Sequence, residues 1–297
     1  MTLEQLRIFI VVAELQHVTR AAEKLNLTQS AVSSAIQALE SRHRVKLFDR
    51  IGRGIELTRA GAWFLIEARN LVLKARNTES ILDQFADLKR GFLAVHASQT
   101  IANYWLVPYL VRFGLRYPGV EIQMTIANTA LVADAVATGQ ADLGLTEGEL
   151  DNQDLAEEIV AQDQMVLVFA KGSKWASHSI KTGNDLVGLN WILRERGSGT
   201  RSVFEKSLTA MDIDPNKLHV AFEFSSNEAV RTAVETGVGV TVISKRAISS
   251  QVKDGSLISS DFLQAARSFK LVSDRRRHLP PVATAFAEIF KDERDDK

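Results

Sequence analysis

Residues 18–37 read VTRAAEKLNLTQSAVSSAIQ, and this stretch decides how the N-terminal part of the chain folds. Apolar residues recur at the spacing of one helix face over 18–25 and again over 32–39. Asn26 separates the two patterns, and asparagine tolerates the left-handed backbone of a tight turn. Thr28 then suits the N-cap of the second helix. The pattern predicts two short helices joined by a tight turn.

The second helix carries short hydroxyl and amide side chains on the face away from its apolar stripe. Such groups donate to and accept from base edges in the major groove of DNA; the alternative is an ordinary amphipathic helix pair. We therefore predict a helix-turn-helix over 18–37 that binds double-stranded DNA. The predicted DNA contacts within it are Arg20, Thr28, Gln29, Ser30, Ser33, Ser34 and Gln37.

Two short strand-like runs follow, at 46–50 and 55–57, and they predict a β-hairpin whose glycine-containing turn permits positive φ. Arg50 and Arg53 lie where such a wing would meet phosphate or the minor groove, unless both are merely solvated. The first domain is therefore expected to be a winged helix-turn-helix over 1–58.

A long helix is predicted next, over 59–90, because residues 59–89 contain no proline and, beyond Gly61, no glycine. Its apolar positions step by four and three residues, as in a coiled-coil seam. So long a seam predicts pairing with the same helix of a second subunit; the alternative is packing against the C-terminal part of the chain. The predicted dimerisation positions are Phe64, Ala68, Leu71, Ala75, Leu82 and Phe85.

Four separated motifs resemble, in the same order, the N-terminal domain of the LysR-type transcriptional regulators. The family usually carries Arg where this chain has Ser34, so lighter base contacts are expected there. The resemblance implies a homodimer or homotetramer on an operator with dyad symmetry, with RNA polymerase as a further candidate partner. The motifs are residues 3–9, VTRAAEKLNLTQSAVSSAIQALE at 18–40, LFDR at 47–50 and LTRAG at 57–61.

From residue 91 onward, short β-rich runs alternate with helical ones, which predicts an α/β domain with parallel strands. Residues 129–139 echo 227–237, and each predicts a helix–glycine–strand unit, as expected of two similar lobes. The arrangement resembles the periplasmic-binding-protein-like effector domain of the LysR family. By that resemblance the effector domain covers 91–297, with lobe I at about 91–161 and 268–297, lobe II at about 162–267, and crossings near 161–164 and 266–268.

Hydroxyl-rich and glycine-rich loops follow several predicted strands. Ligands of open α/β sheets bind beyond the strand ends, often at helix N-termini whose free N–H groups favour anions, although each Ser or Thr is singly explained by helix capping. We expect a small anionic effector between the lobes: an inorganic oxyanion, a compact carboxylate or a phosphorylated metabolite. The phrase GSGTR at 197–201 resembles that of family members governing carbon fixation and sulfur assimilation. The predicted effector residues are Ser98, Gln99, Thr100, Thr129, Thr146, Arg194, Gly197, Ser198, Gly199, Thr200 and Asn227.

The composition and the absence of several motifs reduce the number of other function classes that fit this chain. The absence of cysteine excludes disulfides, thiolate zinc sites and cysteine-based peroxide sensing. The six histidines lack metal-ligand spacing, and neither a phosphate-binding P-loop nor a nucleophile elbow is present. We predict no catalytic residue, no metal and no cofactor, and read Asp142 and Glu147 as fold and loop residues. A solute-binding receptor, or less readily a small-molecule transferase, stays open as an alternative to a regulator.

Charge and hydropathy agree with a DNA-binding N-terminal third. Residues 1–90 contain 14 Lys and Arg against 10 Asp and Glu, a net charge of +4 in a chain that is neutral overall. No apolar run reaches membrane-spanning length, and the first residues lack a signal-peptide layout. The sequence thus predicts a cytoplasmic protein that does not bind membranes.

Overall fold

The computed structural model describes residues 1–51, 54–84, 91–176, 180 and 182–295. The chain divides into two compact units whose boundary falls within residues 85–90, outside the described residues. Among the helices of the described ranges, none combines the length and hydropathy that a membrane span requires. The first unit consists of α1 (Leu3–Leu15), α2 (Val18–Leu25), α3 (Gln29–His43), β1 (Phe48–Ile51), β2 (Gly54–Leu57) and α4 (Arg59–Gln84).

Helices α2 and α3 form the predicted helix-turn-helix. Asn26 ends α2 in the left-handed conformation, with φ of 53°. The Thr28 hydroxyl caps α3 by accepting a hydrogen bond from the backbone N–H of Ala31 at 3.2 Å. Ala22 and Val32 are buried in the shared core of α1, α2 and α3. The predicted turn and cap are therefore confirmed, and a small alanine at the crossing lets the helices approach closely.

The wing is an antiparallel pair of β1 and β2, with Phe48 opposite Leu57. Residues 52 and 53 of its turn lie outside the described residues. Thr58 caps α4 by accepting from the N–H of Gly61 at 2.9 Å, and its hydroxyl donates to the carbonyl of Lys46 at 2.8 Å. One threonine thus starts the long helix and ties it to the base of the wing.

The buried carboxylate of Glu40 joins the end of α3 to the wing. It accepts hydrogen bonds from the Lys46 ammonium at 2.7 Å and from the N–H groups of Leu47 and Phe48 at 2.8 and 3.3 Å. Burial alone would raise the pKa of Glu40, but these hydrogen bonds outweigh burial and hold the pKa below its ordinary value. The carboxylate therefore stabilises the junction only while it is ionised.

We expect Glu40→Gln to lower the free energy of unfolding of the first unit by about 1–3 kcal/mol at neutral pH, because buried N–H groups lose a charged acceptor. A depressed folded-state pKa contributes stability above the unfolded-state pKa, and this is lost as the pH falls through the folded-state pKa. Calorimetry across acid pH should show the wild type and Glu40→Gln converging, with exposed Glu23→Gln as control. A difference that does not change with pH would count against this role.

Part of the predicted subunit seam is used within the chain. The ring of Phe64 packs at a tilt of 50° against Phe9 of α1 with ring centroids 4.8 Å apart, and Ala68 is fully buried in the same core. Ala68 is thus covered by α1 within the chain, whereas Phe64 is only half-buried, and the assignment of these positions to a subunit interface stays a prediction. Leu71 is 45% exposed and Ala75 is half-buried. The side chains of Leu82 and Phe85 lie outside what the structure describes, so the rest of the seam stays a prediction.

The second unit is an α/β domain around one eight-stranded sheet, with strand order β4-β3-β5-β10-β6-β9-β7-β8. A π-helical segment, Ala102–Leu106, joins α5 to α6. Its elements are β3 (Gly91–Ser98), α5 (Gln99–Ile101), α6 (Val107–Arg116), β4 (Val120–Ala127), α7 (Thr129–Ala137), β5 (Leu143–Glu147), β6 (Leu155–Ala170), α8 (Asn184–Val187), β7 (Asn190–Arg194), α9 (Gly199–Thr209), β8 (His219–Phe224), α10 (Asn227–Glu235), β9 (Val240–Ser244), α11 (Ser249–Asp254), β10 (Leu257–Asp274) and α12 (Pro281–Asp295).

Strands β6 and β10 correct the prediction of parallel strands. β3 pairs with β4 and β5 in parallel, and so does β7 with β8 and β9, but β10 runs antiparallel to β5 and β6, and β6 antiparallel to β9. These two strands also begin well before the apolar runs at 164–170 and 268–273 that predicted them. Polar residues interrupt the apolar ones in their first halves, so that no continuous apolar run marks these parts of the strands.

The two largest hydrophobic clusters among the described residues of this unit lie in different lobes. One core is built around Trp105, Phe113 and Phe286 from α6, the π-helical segment and α12. The other surrounds Trp191 and Phe204 from β7 and α9. The long strands β6 and β10 run through both lobes, and the expected crossings at 161–164 and 266–268 lie in their middle.

The internal echo corresponds to two similar units, α7 with β5 and α10 with β9. Gly139 and Gly237 follow these helices with φ of 73° and 82°, a backbone conformation that favours glycine. Each glycine turns the chain from a helix into a strand whose carboxyl end faces the cleft between the lobes.

Candidate DNA-binding and effector sites

The first half of α3 presents the predicted DNA contacts. Gln29 donates through its amide nitrogen to the Ser33 hydroxyl at 3.2 Å, and the hydroxyls of Thr28 and Ser30 lie 3.0 Å apart. These bonds orient polar side chains one helical turn apart on one face. Of the contacts predicted within the helix-turn-helix, Ser33 is half-buried and the others are exposed: Arg20, Thr28, Gln29, Ser30, Ser34 and Gln37.

The predicted wing contacts are not tested. Arg53 lies outside the described residues, and only the backbone of Arg50 is described, in β1 opposite Ile55. Both arginines stay predictions.

We expect Gln29→Ala to relax base preference at one operator position and to cost about 1–3 kcal/mol of binding, the range of a good side-chain contact to a base. A titration against duplexes that vary at single positions measures both effects. Glu23→Gln serves as a control on α2. An unchanged affinity together with an unchanged base preference would rule out a base contact by Gln29.

In the second unit, one set of predicted residues meets across the cleft. The side-chain nitrogen of Asn227 donates to the Thr100 hydroxyl at 3.0 Å, and its backbone N–H donates to the Gln99 side chain at 2.6 Å. Arg194 donates to the side-chain oxygen of Asn227 at 2.7 Å. Thr100 and Gln99 belong to lobe I, whereas Asn227 and Arg194 belong to lobe II, so these bonds hold the lobes together.

A second set surrounds the start of α9. Gly197 has φ of 88°, and its carbonyl accepts from the N–H of Ala130 in lobe I at 3.1 Å. A Cβ on Gly199 would lie 2.3 Å from the carbonyl oxygen of Glu147, so only glycine permits this approach. Thr129 donates to the same carbonyl at 3.1 Å. The two glycines of the GSGTR phrase therefore allow the backbones of the two lobes to approach closely.

The remaining predicted hydroxyls are buried at the same place. Ser98 and Ser198 are each 2% exposed, and Ser98 donates to the Glu147 carboxylate. The hydroxyl of Thr200 accepts from Arg267 at 3.1 Å. Thr146 is fully buried, and its hydroxyl has no hydrogen-bond partner in the described part of the chain. The structure thus brings the predicted ring together but shows most of its hydroxyls already bonded.

Three charged residues that the sequence analysis did not assign to the site lie at its centre. The Arg267 guanidinium donates through Nε to Asp163 at 2.8 Å, and its Nη1 lies 3.5 Å from the Glu147 carboxylate. Asp163 also accepts from the Ser244 hydroxyl at 2.8 Å. All three charged side chains are at most 6% exposed. Glu147 is therefore a central residue of the cleft, and reading it as a loop residue was wrong.

A signal for Arg267 does exist in the sequence. Arg267 shares the alternating inward face of its strand with Phe269 and Leu271, both buried. A charge on an inward face needs a partner, because an unpaired buried charge is costly. That partner is Asp163 of β6. The sequence alone does not identify the pair, because only the strand register brings Asp163 opposite Arg267.

A further pair of interlobe bonds lies beside the ring. Tyr104 donates to Glu228 at 2.7 Å, and Asn103 donates to the same oxygen at 3.2 Å. Burial, together with the hydrogen bond to Glu228, raises the pKa of Tyr104. Burial would raise the pKa of Glu228, but the bonds from Tyr104 and Asn103 lower it overall. Tyr104 thus stays a neutral donor and Glu228 an ionised acceptor near neutral pH.

A helix-turn-helix unit joined to a two-lobed α/β domain with a polar cleft defines a DNA-binding regulator with an effector domain. Residues 3–62 match the model of the bacterial regulatory helix-turn-helix protein of the lysR family, and residues 86–295 match the LysR substrate binding domain. The chain belongs to the LysR family of DNA-binding transcriptional regulators. The family and the fold class predicted from the motifs are confirmed.

Relatives of similar length support this assignment. The chain is 32% identical to the uncharacterized HTH-type transcriptional regulator YeiE of Escherichia coli K12, over 97% of this chain and 96% of that protein. It is 31% identical to a probable RuBisCO transcriptional regulator of Cyanophora paradoxa, over 97% and 90%. Full-length CbnR in complex with its target DNA shares the fold, with a TM-score of 0.70 at 20% identity over 98% of this chain and 99% of that chain.

Proposed function

We propose that this regulator changes its DNA binding when a small anionic effector binds between the lobes at Ser98, Thr100, Thr146, Ser198 and Thr200. The observation that carries the proposal is the burial of these hydroxyls from both lobes at the end of β5 and at the starts of α5 and α9. The free N–H groups at the start of α9 favour negative charge there. The effector is an inorganic oxyanion, a small carboxylate or a phosphorylated metabolite.

The hydrogen bonds between the lobes are contacts that a bound effector replaces with its own. A ligand can shift domain closure only if it contacts the open and closed states differently. The bond between Asn227 and Thr100 crosses the cleft, so a ligand that replaces it changes the link between the lobes. The unpartnered hydroxyl of Thr146 supports a polar occupant, because buried polar groups are rarely left without a partner.

The buried charges favour a compact effector. Arg267 lies between Asp163 and Glu147, so its charge is largely compensated within the cleft. A large anion would meet the Glu147 carboxylate, whereas a small one can lie against the helix N–H groups. We therefore place the effector's negative charge at the start of α9.

The rest of the proposal concerns assembly. The exposed part of α4 around Leu71 pairs with a second copy of the chain, which places two helix-turn-helix units on a dyad-symmetric operator. The protein acts in the cytoplasm without catalysing a reaction. A solute-binding receptor would leave the helix-turn-helix unit without a role, and no geometry of the described residues favours a transferase.

We expect the double variant Thr100→Val/Thr200→Val to bind operator DNA with wild-type affinity in the absence of effector but to lose its response to effector. Valine removes the hydroxyls with little change of volume. Binding isotherms on a fluorescent operator, with and without the small molecules released from natively purified protein, measure both properties. Thr232→Val/Thr236→Val, two exposed threonines on or just after α10, is the matched control.

Two outcomes would contradict the assignment. One is an effector response of Thr100→Val/Thr200→Val equal to that of the control. The other is loss of DNA binding by this variant without effector, since the hydroxyls would then support the fold rather than the response.

A further inference from the structure

A groove of about 750 Å³ lies between α9 and the middle of β10, outside the ring of hydroxyls described above. Its size falls in the range of metabolite sites, about 300–1,000 Å³. Lobe II supplies one wall through α9, and lobe I closes it with the loop after β5. The polar residues that line it include Glu149, Ser202, Lys206, Arg267, Ser268 and Lys270.

Two ammonium groups line this groove, and each forms an ion pair with a different carboxylate. Lys206 forms an ion pair with Glu149, and Lys270 forms one with Glu157 at 2.6 Å. The hydrogen bond and charge of Lys206 lower the pKa of Glu149, and the charge of Lys270 lowers it further. Glu149 therefore occupies the position beside Lys206 that an anion in the groove would take, and Lys270 lines the same groove. The Glu149 side chain is 73% exposed, so its pair with Lys206 is of the kind that competes weakly against a better ligand.

Arg267 also lines the groove, and one of its guanidinium nitrogens has no hydrogen-bond acceptor among the described residues. It is 4% exposed, and its Nε and Nη1 atoms are bonded to Asp163 and Thr200. Its Nη2 atom has no hydrogen-bond partner among the described residues. A buried guanidinium N–H without an acceptor is costly, so this donor favours an occupant that accepts from it.

We propose that this groove is a second effector site, for a multiply charged organic anion held by Lys206, Lys270 and Arg267. Lys206 belongs to lobe II and Lys270 to lobe I, so such an anion links the lobes in place of the Lys206–Glu149 ion pair. None of the ring hydroxyls lines this groove, but the two sites share Arg267, whose guanidinium also donates to Thr200.

The test is calorimetric titration of the full-length protein with two probes, pyrophosphate and citrate, at constant ionic strength. Constant ionic strength matters because salt screens exposed charges. We expect at least one probe to bind, and Lys206→Gln/Lys270→Gln to weaken it about tenfold or more. Lys245→Gln/Lys253→Gln makes the same change of net charge at exposed lysines outside the groove and should stay within about twofold of the wild type. Binding of pyrophosphate alone identifies phosphate groups, and binding of citrate alone identifies carboxylates.

A variant that is expected to bind the probe more tightly distinguishes an effect on the site from a loss of folding. Glu149→Gln keeps the size of the side chain but removes the competing charge, so the probe should bind about three- to tenfold more tightly. The proposal is overturned if neither probe binds the wild type at 10 mM, if Lys206→Gln/Lys270→Gln binds like its control, or if Glu149→Gln binds no more tightly than the wild type. Operator binding measured on the same samples shows separately whether the regulator itself is intact.

Discussion

The Arg267→Gln variant is expected to lose about 3–5 kcal/mol of the free energy of unfolding of the effector domain, the cost of removing one partner from a buried ion pair. Glutamine leaves Asp163 without its buried charged partner and Glu147 without the nearest positive charge in the cleft. The Ser244 hydroxyl and the partly exposed Arg246, 3.5 Å away, compensate the buried Asp163 carboxylate only in part.

Urea titration followed by tryptophan fluorescence measures this effect, because Trp105, Trp175 and Trp191 all lie in the second unit. Arg246→Gln is the matched control: its guanidinium lies 3.5 Å from Asp163 but is 42% exposed, so it should cost about 1 kcal/mol or less. Adding Asp163→Asn to Arg267→Gln should restore part of the lost stability. Equal losses for the two single arginine variants would show that the buried cluster is not a stabilising unit.

The Leu71→Asp/Leu82→Asp variant is expected to separate the subunits. Leu71 is exposed within one chain, so a charge there has little effect on the fold of the monomer. At a subunit seam, however, aspartates from both chains would be buried without partners, which is costly enough to dissociate a helix pair.

Light scattering at several protein concentrations gives the mass of the particle. Arg76→Asp, an exposed change on another face of α4, should keep the wild-type mass. If the double leucine variant also keeps the wild-type mass, α4 does not mediate self-association. This outcome would leave the helix-turn-helix and the effector cleft unaffected.

Sequence reasoning located the helix-turn-helix because its signals are local. The left-handed turn at Asn26 and the cap at Thr28 each depend on residues within one or two helical turns, so their chemistry is visible in the chain itself. The cleft loops were located for a similar reason, since each begins where a strand ends. What each hydroxyl bonds to was not visible, because the partner of Thr200 lies 67 residues away at Arg267.

The features that the sequence did not predict also share a physical cause. Ala68 fits a heptad but packs against α1 within its own unit, and periodicity cannot tell an internal partner from a second chain. The long strands β6 and β10 carry polar residues because they cross between lobes. Glu147 reads as a loop residue until the register places it opposite Phe269 and beside Arg267. Contacts between residues that are distant in sequence therefore determine the features that a local sequence pattern does not specify.

The coupling between the effector cleft and DNA binding can be measured by a footprint of the protein on its operator. Full-length protein is bound to an operator selected from random duplexes, with and without the small molecules released from natively purified protein, and the protected bases are mapped. We predict that effector changes the spacing or extent of the protected half-sites, because lobe closure alters how paired effector domains hold the helix-turn-helix units. Identical footprints at saturating effector would contradict the account.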